Sequence, residues 1–264
     1  MIVEKIKNYI RIKRWREQIS NIPKNVKMQE SFDQYNEILI LIPHADDEFI
    51  GCYNLLQKYT KKITLLFFNL TGSNSDTTNR DIRKTEFVCY ISKMKLNYKI
   101  IDCSYYEFES VICKNSYDLI MLPSIIDWHK EHRLMNEFLY RYLYKRELAT
   151  FDIAWYQISV PIAKVNLGIS FNKKQERKMI FEFKKYYKSQ ANLKIERFIL
   201  NRSICVPTND CYRNEGFYKI NQYRFIKYYE LLNENNFDFL KQYIDDLNMI
   251  WKESLEVYNL LENL

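Results

Sequence analysis

The chain has 264 residues, 47% hydrophobic and 28% charged, enough apolar material for a sizeable folded core and far from the composition of a disordered chain. Its six cysteines (Cys52, Cys89, Cys103, Cys113, Cys205 and Cys211) include no C-x-x-C pair, which argues against a disulfide framework and for a reducing compartment. The formal charge of +7 is concentrated in residues 1–27, where Lys5, Lys7, Arg11, Lys13, Arg14, Arg16, Lys24 and Lys27 face only Glu4 and Glu17; the remainder is close to neutral, which excludes a dispersed nucleic-acid-binding face.

No early apolar run reaches the length of a signal-peptide core or a membrane span, so a cytoplasmic location is expected. The basic arm also carries Ile2, Val3, Ile6, Ile10 and Trp15. It reads first as a surface helix packed on the core. Its alternative is a peripheral contact with an anionic membrane through residues 1–27, at the inner membrane face.

In chain order, Glu37 to Ile42 (EILILI) is a short β-branched and leucine run bounded by Pro43, the pattern of a strand covered on both faces. His44, Asp46, Asp47 and Glu48 follow at once, and Phe49 to Tyr59 reads as a helix. Ile63 to Leu70 predicts a second strand, ending in the polar loop Thr71 to Asp76. Asp81 to Met94 reads as a helix, Asn97 to Cys103 as a third strand, and Asp118 to Leu122 as a fourth. The next loop carries Asp127, His129 and His132 and leads into a helix to about Glu147. Phe151 to Pro161 predicts another strand. Such alternation means βα units and a mostly parallel, Rossmann-like α/β sheet flanked by helices.

Beyond Asn172 the character turns helical, with one candidate at Lys173 to Gln190 and a long amphipathic helix over Phe237 to Leu261. The expected organisation is a basic helical arm (1–30), a Rossmann-like domain (31–218) and a C-terminal helical extension packed on the core (219–264).

All three histidines fall in polar loops after predicted strands. Singly, H-x-x-D and H-x-x-H are weak signals, and a lone histidine is more often hydrogen-bonded structure than ligand. Together, two histidine motifs on separate βα loops of one parallel sheet reach the same rim, where open α/β sheets place their chemistry. Two imidazoles and a carboxylate form a common catalytic Zn²⁺ set with a fourth position open to water, and they also suit Fe²⁺ or Co²⁺. Side chains of neighbouring residues in extended chain point apart, so one of Asp46 and Asp47 is expected to ligate while the other serves as general base. Glu48 opens the helix, where the N-terminal dipole favours a carboxylate.

The stretch P-H-A-D-D-E at 43–48, followed by Gly51 and Cys52, resembles the signature of the PIG-L-type (LmbE-like) N-deacetylases, metal hydrolases that remove acetyl from N-acetylated sugars. Leu70-Thr71-Gly72, Arg83-Lys84-Thr85-Glu86, the segment Asp127 to Arg133 and the run Tyr-Lys-Ser-Gln at 187–190 agree with it in the family's order, over about Glu37 to Gln190. The resemblance implies His44, Asp47 and His132 as zinc ligands, Asp46 as general base and His129 as the residue supporting the oxyanion and leaving group. Arg83 is implied on the substrate side or in a structural role. The sequence departs from the family at Ala45, where proline is usual, and at Glu131, where aspartate is usual. The implied partner is an N-acetylated sugar or glycoconjugate. Two other readings remain at this stage: a non-catalytic scaffold subunit in glycan assembly, and a nucleotide-binding Rossmann-like protein. Against the latter, the first loop has no glycine-rich phosphate pattern and its carboxylates repel phosphate.

Overall fold

The computed structural model describes residues 2–22, 31–70, 77–101, 103–146, 150–202 and 212–263. The predicted loop 71–76, with Thr71 and Gly72, lies outside them, as do Lys24, Lys27, Cys205 and Cys211. Of the described cysteines, Cys52 is buried, while Cys89, Cys103 and Cys113 are exposed.

Among the described residues, seven strands form one sheet: β1 (Ile38–Ile42), β2 (Ile63–Phe67), β3 (Asn97–Ile100), β4 (Leu119–Pro123), β5 (Asp152–Tyr156), β6 (Leu167–Asn172) and β7 (Tyr212–Ile220). Their order is β3-β2-β1-β4-β5-β7-β6. The first five run parallel; β7 pairs antiparallel with β5, and β6 antiparallel with β7. Every residue of β1 and of β4 is buried, as the continuous apolar runs require of strands covered on both faces. The strand period of two sorts them: Leu39, Leu41, Ile120 and Leu122 enter one core, while Ile38, Ile40, Ile42, Leu119 and Met121 enter the other.

The second core is covered by α2 (Asp47–Lys58), α3 (Thr77–Met94) and α6 (Lys173–Tyr186). The first is covered by α4 (Tyr105–Lys114), α5 (Lys130–Tyr144), α8 (Gln222–Leu232) and α9 (Leu247–Glu262), together with α1 (Ile2–Ser20). Helix α7 (Ile195–Arg202) contributes Ile199 to one core and Leu200 to the other. Helix α1 docks through buried Trp15 and Ile19, while Ile6, Tyr9 and Ile10 point outward. Among the described residues, no helix is long and apolar enough to cross a membrane.

Among the differences from the sequence reading, two concern the course of a predicted helix. The long helix over Phe237–Leu261 is two elements, a 3-10 stretch at Asp238–Tyr243 and α9, with a break at 244–246. Asp246 caps α9, its side chain accepting from Met249 N at 3.1 Å. Gln18 and Trp15 of α1 complete the break: Leu247 N donates to Gln18 Oε1 at 3.2 Å, and Trp15 Nε1 to the Asp245 carbonyl at 3.3 Å. Ile244, which falls in the break, is 47% exposed. The second difference is helix α2, which kinks at Cys52 (φ −134°, ψ 17°). The buried carboxylate of Glu215, on β7, accepts from Asn54 N at 3.1 Å and Leu55 N at 3.2 Å, holding donors that a regular helix would satisfy internally.

Candidate active site

The strand order changes direction between β1 and β4: the chain leaves β1 toward β2 on one side, and β4 lies on the other. The crevice at their carboxyl ends is the switch point of an open α/β sheet, the usual place for a ligand. His44 and Asp47 arrive there from the turn after β1, and His129 and His132 from the loop after β4 and the first turn of α5.

His44 Nδ1 lies 3.1 Å from Asp47 Oδ2 and 3.2 Å from His132 Nε2, and His132 Nε2 lies 3.3 Å from Asp47 Oδ2. These three atoms form a nearly equilateral triangle. Three corners of a tetrahedron around an ion at about 2.0–2.1 Å would stand about 3.3 Å apart, so the donor set fits a metal such as Zn²⁺. The group His44, Asp47 and His132 can therefore hold a metal ion. Behind it, Asp127 Oδ1 sits 3.3 Å from His132 Nδ1 and accepts from His129 N at 3.0 Å, while Oδ2 accepts from Ser159 N at 2.9 Å. An imidazole steered through its second nitrogen by a carboxylate is the usual arrangement around metals.

The electrostatics favour positive charge between the rings. Burial alone would raise the Asp47 carboxyl, but the His132 and His44 imidazoles outweigh it and hold it well below the ordinary aspartate value. Burial likewise opposes a proton on His132, yet Asp47 and Asp127 push it well above 6.5. Asp127 is lowered to about 2, the pull of His132 exceeding the cost of burial.

Asp46 goes the other way. It occupies the left-handed region (φ 111°), where a residue with a Cβ is strained, and so turns its carboxylate away from the triangle that Asp47 completes. The two aspartates diverge because the chain reverses at Asp46, rather than because it is extended there. Arg83 Nη2 donates to Asp46 Oδ1 at 3.0 Å and to the Ala45 carbonyl at 2.9 Å. Burial raises the Asp46 carboxyl to about 8, with Arg83 opposing and Asp47 adding to the shift. Glu48, fully buried, accepts from Asp46 N at 3.2 Å through one oxygen and from the Tyr187 hydroxyl through the other; burial raises it to about 8.

His129 stands at the exposed rim, its ring centroid 4.9 Å from that of His132 and 6.1 Å from that of His44. Desolvation in this crowd lowers its pKa, with Asp127 opposing. Glu131 Oε2 approaches His44 Nε2 at 3.9 Å. The cavity over these groups measures about 320 Å³ and is walled on its far side by Ile158, Ser159, Gln190, Leu193 and Phe198.

Gln190, Ser159 and Asp127 are site residues to which the sequence reading assigned no task. With its amide oxygen toward α3, Gln190 accepts from Arg83 Nε at 2.6 Å. One turn on, Glu86 accepts from Ser189 N at 2.8 Å and from Ser189 Oγ at 2.6 Å. Arg83 and Glu86 thus pin the short turn at Lys188–Gln190 against α3, and that pairing is the physical content of two of the stretches that stood out in the sequence.

No family model matches the chain, and no curated protein matches it in sequence. Solved structures do match. An N,N'-diacetylchitobiose deacetylase from Pyrococcus horikoshii, in complex with an inhibitor, superposes with a TM-score of 0.58 at 13% identity, covering 79% of this chain and 91% of that one. The zinc-inhibited form of a teicoplanin deacetylase gives 0.52 at 10% identity, covering 70% and 98%. A 4-carboxy-2-hydroxymuconate hydratase from Pseudomonas putida gives 0.53 at 10% identity, covering 70% and 96%, so the architecture also serves other chemistry. By architecture the chain stands with the LmbE/PIG-L-type deacetylase structures, in a Rossmann-like fold with a seven-stranded, mostly parallel sheet.

Proposed function

We propose that the protein is a metal-dependent hydrolase that removes acetyl from an N-acetylated amino sugar of the N-acetylglucosamine type, releasing acetate and a free amine. The observation that carries this reading is the convergence of His44 Nδ1, Asp47 Oδ2 and His132 Nε2 from two βα loops, beside a second aspartate that faces elsewhere.

In this reading His44, Asp47 and His132 hold Zn²⁺, with Fe²⁺ or Co²⁺ as the alternatives for the same donors. When bound, such a cation supplies Lewis acidity, which an amide carbonyl needs because it is a poor electrophile. Asp46 accepts a proton from the attacking water and returns it to the departing amine nitrogen. Arg83 keeps the Asp46 carboxylate aimed, and burial, which raises its carboxyl, strengthens its hold on a proton. Its raised value belongs to the site without a cation; a neighbouring positive charge favours the ionised form. His129 donates an N–H to the oxygen that gains negative charge in the tetrahedral state. Its lowered pKa favours the neutral ring, which still donates through one nitrogen. Ile158, Leu193 and Phe198 keep bulk water from that side of the cavity.

The test is acetate release from N-acetylglucosamine and its conjugates, with metal content measured on the same samples. Activity lost to a chelator and restored by Zn²⁺, Fe²⁺ or Co²⁺ supports the proposal. His44→Ala and His132→Ala lose the metal, whereas His129→Ala keeps it and loses turnover by about 10²–10³, the usual cost of a missing oxyanion donor. Full metal occupancy in either ligand variant would overturn the assignment. Binding of such glycans with no acetate released under any metal would leave the scaffold reading in its place.

A further inference from the structure

A second cavity, of about 540 Å³, lies against the catalytic one, and Glu131 lines both. Its floor is Leu134 and Ile125, one wall is α5 with Lys130, Arg133 and Glu137, and the opposite wall is Tyr229 on α8 with the run Asn233 to Asn236 beyond it. The opposite wall is held in place: Arg133 Nη1 donates to the Asn235 carbonyl at 2.7 Å, and the Tyr229 ring stacks on Tyr140 of α5 at 4.3 Å and 21°. The catalytic cavity alone is at the small end of the range of ligand pockets, about 300–1,000 Å³, and the two together lie well within it.

The lining selects a ligand class. Two cations, Lys130 and Arg133, meet three carboxylates, Glu131, Glu137 and Glu234, and the amides of Asn233, Asn235 and Asn236 add donors and acceptors. Three carboxylates against two cations repel a diphosphate, which argues against a nucleotide or lipid-diphosphate substituent on the sugar on this side. Amides, carboxylates and a partly exposed tyrosine face suit a neutral, hydroxyl-rich ring.

We infer that the substrate is a neutral oligosaccharide, with its acetamido ring in the catalytic cavity and the next sugar ring in the Tyr229–Asn233–Asn236 cavity beyond Glu131. This rests on the deacetylase reading above and adds the substrate's length and charge. Asn233 and Asn236 are exposed and line the second cavity but not the catalytic one, so changes there leave the folded core and the single-ring reaction intact.

The experiment compares N-acetylglucosamine, its β-1,4-linked di- and trimers, and the uridine-diphosphate conjugate, using wild type, Asn233→Trp, which fills the second cavity, and the double variant Asn233→Ala/Asn236→Ala. Wild type is expected to show a KM for the trimer about tenfold below that for the monosaccharide, roughly the yield of one or two net hydrogen bonds, and no such gain for the diphosphate conjugate. Both variants should bring the trimer's KM up to the monosaccharide's value and leave monosaccharide turnover unchanged. Saturation-transfer NMR with the trimer on chelator-treated protein gives a readout independent of catalysis: signal on the second ring in wild type, lost in Asn233→Trp. Acetate release with no preference for the longer glycan, or a preference both variants keep, overturns the extended groove and leaves the deacetylase reading standing. A preference for the diphosphate conjugate overturns the charge argument. Release from none of the glycans, with no trimer binding, overturns both readings.

Discussion

Asp127 Oδ1 and His132 Nδ1 stand 3.3 Å apart, both side chains only 1% exposed, and the same carboxylate anchors the backbone of His129 and Ser159. One buried aspartate therefore sets the ring that presents Nε2 to the metal triangle and the loop that carries the rim histidine. Asp127→Asn keeps the shape but loses the charge that steadies the imidazole. Metal affinity should fall about 10–100-fold, as for other groups that orient a metal-binding histidine, without being abolished. Titration with a competing chelator measures it, and unchanged affinity would remove Asp127 from the site.

Asp46 and Arg83 should separate chemistry from metal binding. Asp46→Asn cannot accept a proton and should lose about 10²–10⁴ in turnover at full metal content. Arg83→Lys keeps the charge but cannot reach Asp46, the Ala45 carbonyl and Gln190 together, because a lysine has no planar fork. A loss of about 10–100-fold, with metal retained, is expected for a base displaced by a fraction of an ångström. Equal activity in Arg83→Lys would show that charge alone matters there.

Glu48 predicts a pH dependence of stability in the metal-free protein. Burial raises its carboxyl from 4.5 to about 8, so the folded state binds a proton that the unfolded state has released between those values. The stabilisation is fully present below about pH 4.5 and is lost as pH rises through about 8. Glu48→Gln, which needs no proton to be neutral, should flatten that part of the profile and raise the urea midpoint near pH 8 relative to wild type. Parallel profiles for the two proteins would count against a protonated Glu48.

Gly51 sits inside α2, where alanine would ordinarily stabilise by about 0.5–1 kcal/mol. Here a Cβ would collide with the Tyr156 ring and come within 3.1 Å of Ile158 Cδ1. Tyr156 cannot yield easily, because its hydroxyl donates to the Leu41 carbonyl at 2.6 Å. Gly51→Ala should therefore destabilise by about 1–3 kcal/mol, the usual cost of overpacking, which reverses the normal sign. Chemical denaturation decides between the two signs.

The meeting of His44, Asp47 and His132 was legible because β1 and β4 read as buried runs, and a polar cluster after a buried strand has few places to go. Their convergence followed from the parallel topology alone. The antiparallel pair β6 and β7 was passed over: β7 carries Asn214 and Glu215 at buried positions, which hides its alternation, and β6 has no recognisable partner without it. The break before α9 was hidden for another reason. The spacing of Leu240, Ile244 and Leu247 suits a continuous helix; the Asp246 cap is local, but the side chains of Trp15 and Gln18 that complete the interruption lie more than two hundred residues away. Helix α4 was also unread, although Ser104 caps it and Tyr105, Phe108, Val111 and Ile112 bury one face. The pairing of Arg83 with Gln190 joins positions over a hundred residues apart and has no local signature at all.

The carboxylate of Glu215 under the kink of α2 has a consequence for any attempt to shorten the protein. The parallel strands and both histidine loops are complete by residue 156, and a minimal catalytic fragment ending there would look self-sufficient on a topology diagram. Yet the helix that begins with Asp47 takes its bend from a side chain far downstream, and without it two buried N–H groups would be stranded beneath the catalytic turn. Strand β7 therefore finishes the turn that follows β1, and a nascent chain should acquire its site only after Glu215 has left the ribosome.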